Sequence, residues 1–179
     1  MKNEVAQPNG LTICYFGDGK GKTTAALGLA LRAAGQKKKT LIVQFIKGDW
    51  ESGEDIACAQ TKQIRIVKMG KGFVGLGNKT DIKVHIESAQ KALEFSRRAM
   101  KKDFDILVLD EILGAVKGSL IKTKDIIELI KIKPVKMTLV LTGQPKIIEV
   151  IKICDLVTQM KKVKHPYDNG ILAIKGIDY

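Results

Sequence analysis

Aromatic residues are scarce in this chain: they make up 5% of 179 residues, with a single Trp. Arginine is rare beside lysine, standing only at Arg32, Arg65, Arg97 and Arg98. Base stacking and base-edge reading rely on those two residue classes. The net charge of +12 therefore does not argue for a specific nucleic-acid partner. Lysines are dispersed, with short clusters at Lys37-Lys38-Lys39, Lys101-Lys102 and Lys161-Lys162, which reads as a solvated surface able to steer polyanions. Cysteine is limited to Cys14, Cys58 and Cys154, odd in number and without ligand spacing. That excludes a disulfide framework or a thiolate metal site and fits reduced thiols in a cytoplasmic protein. No apolar run approaches the ~20 residues that span a bilayer, so no membrane association is expected. His85 and His165 lack a Cys or carboxylate partner at ligand spacing, and no Ser/His/Asp or Cys/His set suggests hydrolysis.

With 45% hydrophobic residues and no low-complexity tract, the chain suits one domain that buries about 70% of its unfolded surface. Residues 1–10 lack an apolar targeting core and read as a flexible lead-in; residues 11–179 form the domain. Apolar, β-branched runs predict strands at Leu11–Phe16, Thr40–Phe45, Ile64–Met69, Ile106–Leu109, Met137–Leu141 and Leu156–Met160, with a further short strand within Ile171–Lys175. Between them, helices are expected over Lys22–Ala34 with Gly35 as its stop, Glu54–Gln60, Asp81–Lys102 behind a Thr80 cap, Asp125–Lys131, and Pro145–Ile153 with Pro in its first turn. On the long helix Ile82, Ile86, Ala89, Leu93 and Met100 form the apolar face. Residues Gly70–Gly77 read as a mobile loop. Alternation of strand and helix predicts a mostly parallel sheet covered on both faces.

Gly17-Asp18-Gly19-Lys20-Gly21-Lys22-Thr23-Thr24 joins the first strand to the first helix. Successive loop N–H groups and a helix N-terminus make a nest for an anion. Lys22 neutralises phosphate oxygens, and the Thr23 hydroxyl is placed for Mg²⁺. The usual G-x-x-x-x-G-K-[ST] pattern has glycine where this chain has Phe16. Asp18, an anion in a loop made for anions, is expected to point away from the nest. The expected fold is a single-domain, three-layer, P-loop NTPase-like (RecA-like) α/β domain.

Asp110 and Glu111 follow a buried apolar run and lie, like the glycine loop, at a strand's carboxyl end, where such folds bind ligands. Both are candidates for contact with the metal. At this level three readings stay open. Chemistry that needs no general base would fit such a site; a nucleoside kinase would use Glu111 to activate a hydroxyl; a nucleic-acid-linked ATPase would show steep salt dependence.

Four stretches narrow the choice: the glycine loop, Val43-Gln44-Phe45-Ile46-Lys47-Gly48, Val108-Leu109-Asp110-Glu111, and Val163-Lys164-His165-Pro166-Tyr167-Asp168-Asn169-Gly170 with Gly176-Ile177-Asp178-Tyr179. In that order, over Leu11 to Tyr179, the chain resembles the bacterial ATP:corrinoid adenosyltransferases of the P-loop type. The resemblance implies that ATP and a corrinoid are substrates, with Mg²⁺ as cofactor. Co(I) attacks the 5′ carbon and inorganic triphosphate leaves from a nucleotide lying in reversed polarity. It further implies a homodimer and leaves room for a flavoprotein electron donor. By position, Thr23 and Glu111 match the family's metal contacts, and Arg32 an arginine reaching toward the phosphates. Phe73 matches the first residue of a Phe-x-Trp pair that displaces the corrin's lower ligand; Gly75 stands where the Trp would be. Gln144 occupies a position where arginine is common, and Asp18 one where asparagine is.

Overall fold

Short runs of Val, Ile and Leu become the strands of one sheet in the computed structural model, which describes residues 9–72 and 81–178. In chain order the elements are β1 (Thr12–Phe16), α1 (Lys22–Gly35), β2 (Thr40–Gln44), α2 (Gly53–Ala59), β3 (Ile64–Lys68), α3 (Ile82–Ala99), β4 (Ile106–Asp110), α4 (Ile112–Lys117), α5 (Thr123–Ile132), β5 (Thr138–Gly143), α6 (Ile148–Ile151) and β6 (Leu156–Gln159). A 3-10 turn spans Pro166–Asn169. The spatial order is β3-β2-β4-β5-β1-β6, and every described strand pair is parallel. β5 thus lies between the strand that feeds the glycine loop and the strand that ends in Asp110.

The period-2 alternation of strand side chains divides the core in two. Leu41, Val43, Leu107, Leu109, Leu139 and Leu141 meet the face covered by α3, α4, α5 and α6. Ile13, Ile42, Ile106, Val108 and Val140 meet Ala26 and Ala30 of α1. Each such fully buried aliphatic side chain contributes about 1.5–3 kcal/mol. The fold is therefore the three-layer P-loop α/β arrangement. β6 differs from its neighbours because all four of its residues are exposed.

Several boundaries differ from the sequence pattern. Gly35 stays inside α1, Gln36 is the C-cap, and Lys37 takes the left-handed conformation (φ 61°). Thr80 lies outside the described residues; the Asp81 side chain caps α3 by accepting from Lys83 N–H at 2.9 Å. On α3, Ala89, Leu93 and Met100 are buried as expected, whereas Ile82 and Ile86 are exposed and His85, Ala92 and Ser96 take their place. The helix turns its small residues inward, which allows close approach to the sheet, and His85 Nε2 is left buried without a partner. Helix α4, too short to read from periodicity, follows Glu111 directly. Helix α6 begins at Ile148, not Pro145, because Ile147 is its N-cap. Residues 171–175 form no strand. Cys14 and Cys154, far apart in sequence, are neighbours whose thiols hydrogen-bond, which raises the Cys14 pKa and lowers that of Cys154; all three cysteines are free thiols.

Candidate functional site

Phe16 ends β1 with its ring in the core, which explains a non-glycine residue there: the loop starts one position later. Gly17 has φ 127°, and a Cβ on it would overlap the Met160 carbonyl, so glycine is required. The loop's outer side is tied to distant segments. Gly17 N–H donates to Gln144 O at 3.2 Å, Gly19 N–H to Met160 O at 2.8 Å, and Met160 N–H to Phe16 O at 2.8 Å. Asp18 points outward, its Oδ1 accepting from Lys162 N–H at 3.2 Å, and that bond holds its carboxyl below the usual range. Lys22 Nζ donates to Gly19 O at 2.7 Å.

α1 begins at Lys22 with Gly21 as N-cap, no side-chain cap and no acidic residue in its first turn. Its first N–H groups lack helical partners and carry the positive end of the helix dipole. They face a cavity of about 360 Å³ whose lining includes Lys20, Lys22, Thr23, Thr24, Glu111 and Asp178. Asp178 is ion-paired with Lys20 across this cavity.

The acidic side is built by three strands. Asp110, buried at the end of β4, accepts at Oδ1 from Thr23 Oγ1 at 2.9 Å and from Thr142 Oγ1 at 2.8 Å. Its Oδ2 accepts from Gln44 Nε2 at 3.2 Å. Burial raises the Asp110 pKa, against those three bonds. Thr142 also accepts the N–H of Glu111 at 2.8 Å, which holds Glu111 in a left-handed conformation (φ 58°). The Glu111 carboxyl is pushed up to about 7, first by desolvation and then by Asp110, while Lys22 pulls it down.

A second cavity, about 580 Å³, shares Lys22 and Glu111 with the first and is otherwise lined by residues such as Ile46, Gly72 and Leu120. On its rim Lys117 Nζ donates to Gln144 Oε1 at 2.5 Å.

The structure thus brings together Gly17, Asp18, Gly19, Lys20, Gly21, Lys22, Thr23, Thr24, Asp110 and Glu111. Arg32 does not join them within this chain. It is exposed in the last turn of α1, about 15 Å along the helix axis from Lys22 at 1.5 Å per residue. Phe73 and Gly75 lie outside the described residues. Thr142, Gln44 and Asp178 were not foreseen as site residues. Gln44 and Asp178 lie in stretches that carry the family resemblance, and Gln44 and Thr142 stand at the carboxyl ends of buried strands.

The donor set suits Mg²⁺, which takes one or two carboxylates together with phosphates and water. The Glu111 carboxylate has no hydrogen bond or ion pair among the described residues, and Gln44 Oε1 is buried without a partner. Among the described residues no group of three or more His, Cys, Asp and Glu could cage an ion alone, so the protein would supply only part of the shell.

Comparison with known proteins agrees with this chemistry. A family model described as ATP:corrinoid adenosyltransferase BtuR/CobO/CobP matches residues 8–179. The chain is 32% identical over 177 residues to a corrinoid adenosyltransferase of Escherichia coli K12, an alignment covering 98% of this chain and 89% of that protein. It is 32% identical over 178 residues to the Salmonella typhimurium LT2 corrinoid adenosyltransferase CobA, with the same coverage of 98% and 89%. A Pseudomonas aeruginosa corrinoid adenosyltransferase is 31% identical over 178 residues, covering 98% and 87%.

Proposed function

Because the chain belongs to the ATP:corrinoid adenosyltransferase family, we propose that its glycine loop holds the triphosphate of ATP as a leaving group and not as a phosphoryl donor. The protein is an ATP:corrinoid adenosyltransferase of cobalamin biosynthesis; the proposal concerns how its residues perform the transfer. Co(I) donates an electron pair to the ribose 5′ carbon, the Co–C bond forms, and the C5′–O bond breaks. The pair from that bond leaves on the triphosphate, and cobalt passes formally from +1 to +3. No proton is moved, which matches a site without a paired acid and base.

The observation that carries this reading is the uncapped, acid-free first turn of α1 beside Lys20 and Lys22. Preorganised N–H groups and ammonium charge stabilise the negative charge that builds on the departing triphosphate. Mg²⁺, when bound, supplies further charge neutralisation. Thr23 and Glu111 would hold it, with Asp110 fixing the Thr23 hydroxyl by hydrogen bond. Phe73 would act on the lower face of the corrin. Positioning is the protein's main contribution.

The reading extends to assembly and setting. Residues 11–179 act as one domain, and two copies associate. The exposed β6 strand with Leu156 and Val157 supports association, because a parallel strand left bare on both faces is unusual; sedimentation would measure the mass. The +12 net charge suits an acidic flavoprotein as electron donor, seen as salt-sensitive rates from Co(II). Free thiols support a cytoplasmic location, and no helix among the described residues is long and apolar enough to cross a membrane.

The deciding experiment incubates the protein with Mg²⁺, ATP and a chemically reduced corrinoid, then identifies the phosphorus products. Triphosphate together with a light-sensitive cobalt–carbon product is expected. ADP or orthophosphate made without corrinoid would overturn the leaving-group role of the loop.

A further inference from the structure

The amino edge of the sheet, opposite the glycine loop, holds a third cavity of about 600 Å³. It shares no lining residue with either cavity of the candidate site. Its floor is apolar. Leu41, the second residue of β2, and Ala99, the last of α3, are both buried there. The half-buried rings of Phe95 and Phe104 complete the apolar part of the lining.

Basic side chains make up most of the rest. Asp103 is the one carboxylate in the lining, and Lys39 already neutralises it at 2.5 Å. That leaves Arg65, Arg98 and Lys102, whose side chains have no hydrogen bond or ion pair among the described residues. The negative end of the α3 dipole accounts for two arginines in the last turn of that helix. It does not account for their different surroundings. Arg97 pairs with Glu128 at 3.2 Å, whereas the adjacent Arg98 lines the cavity without a counter-ion. Three like charges around one hollow repel one another, and an anion between them relieves the repulsion.

The two parts of the lining define what would fill it. A monocarboxylate leaves most of the positive charge unmatched, and inorganic phosphate leaves the rings idle. A phosphate monoester carries close to two negative charges at neutral pH, and guanidinium forks match its oxygens in pairs. Phenylalanine rings pack well against a second flat ring, offset or edge-on. The volume also falls in the range of small-molecule sites. We infer that this cavity is a second, non-catalytic site for a small aromatic phosphate monoester of the mononucleotide class. Arg65, Arg98 and Lys102 hold its phosphate, and Phe95 and Phe104 pack against its ring. The site is independent of the glycine loop and of the leaving-group role given to it.

Isothermal titration with AMP and with 1-naphthyl phosphate provides the test, the glycine loop being filled beforehand with Mg²⁺ and inorganic triphosphate. One molecule of either monoester should bind per chain. Inorganic phosphate and 1-naphthol each carry half of the chemistry and should bind much more weakly. Losing a hydrogen bond to a charged group weakens binding about ten- to a hundredfold. That is the rise in Kd expected for Arg65→Gln and for Arg98→Gln, with a smaller one for Arg98→Lys. Phe104→Leu should raise it by about three- to tenfold, the usual share of an aromatic pair. Circular dichroism checks folding; if Phe104→Leu does not fold, the comparison of 1-naphthyl phosphate with inorganic phosphate decides the role of the rings. The site is overturned by absence of saturable binding to wild type, or by inorganic phosphate or 1-naphthol binding as tightly as the monoesters. Affinity that survives both Arg→Gln changes but is lost in Lys22→Ala would assign the binding to the glycine loop and overturn it too.

Discussion

Thr23 Oγ1 donates to Asp110 Oδ1 at 2.9 Å, joining the first turn of α1 to the end of β4. This bond locks the phosphate-binding helix against the acidic strand even though β5 separates their parent strands. The site is therefore a rigid corner, and its residues respond to substitution in distinguishable ways.

Removing the loop cation tests the leaving-group role. Lys22→Ala should lower the rate of triphosphate formation by ~10²–10³-fold, the usual effect of deleting one preorganised stabiliser. The half-exposed side chain is not part of the core, so the thermal midpoint should stay close to wild type. Product analysis by phosphorus NMR and a melting curve check both.

Thr142 serves two masters at once: it donates to Asp110 and accepts from Glu111 N–H. Thr142→Val keeps the shape and deletes the hydroxyl. Leaving those buried groups without it should cost about 1–3 kcal/mol in urea unfolding. It should also weaken Mg²⁺-dependent ATP binding, because the Glu111 carboxylate is no longer held in register.

Glu111 makes stability depend on pH. Its folded pKa of about 7 lies above the unfolded value near 4.5. Between those values the folded state binds the extra proton, so stability falls as pH rises through that window. Above it the full cost applies, on the order of 3 kcal/mol. In chelator, Glu111→Gln should therefore melt higher than wild type at pH 8 and about equally at pH 4. The same variant should need more Mg²⁺ for ATP binding.

Asp178 places a carboxylate beside the phosphate-binding lysines and pairs with Lys20. A triphosphate must compete with it. Asp178→Asn should lower the KM for ATP by up to about fivefold, the equivalent of the ~0.2–1 kcal/mol carried by a partly exposed pair. The corrinoid KM should be unchanged. Steady-state kinetics with each substrate varied separately provide the check.

Much of this site was legible in sequence because its parts are local. The glycine loop, Lys22 and Thr23 are contiguous, and buried strands of Val and Leu announce a parallel sheet. Asp110 and Glu111 were recognisable as an acid pair at a strand end. Thr142 and Gln44 were not, since a Thr or Gln ending a strand looks the same whether or not a carboxylate from another strand lies beside it. Only the strand order brings them together. Arg32 shows the converse: its position suggested a phosphate contact, but helix geometry carries it to the opposite end of α1. The α3 face was misjudged at Ile82 and Ile86 because periodicity ranks large apolar residues first, whereas the sheet is close enough to favour Ala and Ser.

The ties that shape the phosphate loop have a consequence for biosynthesis. Gly17 and Gly19 donate their N–H groups to the carbonyls of Gln144 and Met160, partners more than a hundred positions further along the chain. A nascent polypeptide emerging from the ribosome carries the loop's letters early but acquires its curvature only after β5 and the residues following β6 have been made. Closing so long a segment is slow relative to local helix formation. Nucleotide affinity is thus a late-arriving property of this chain, reporting the arrival of its distal third.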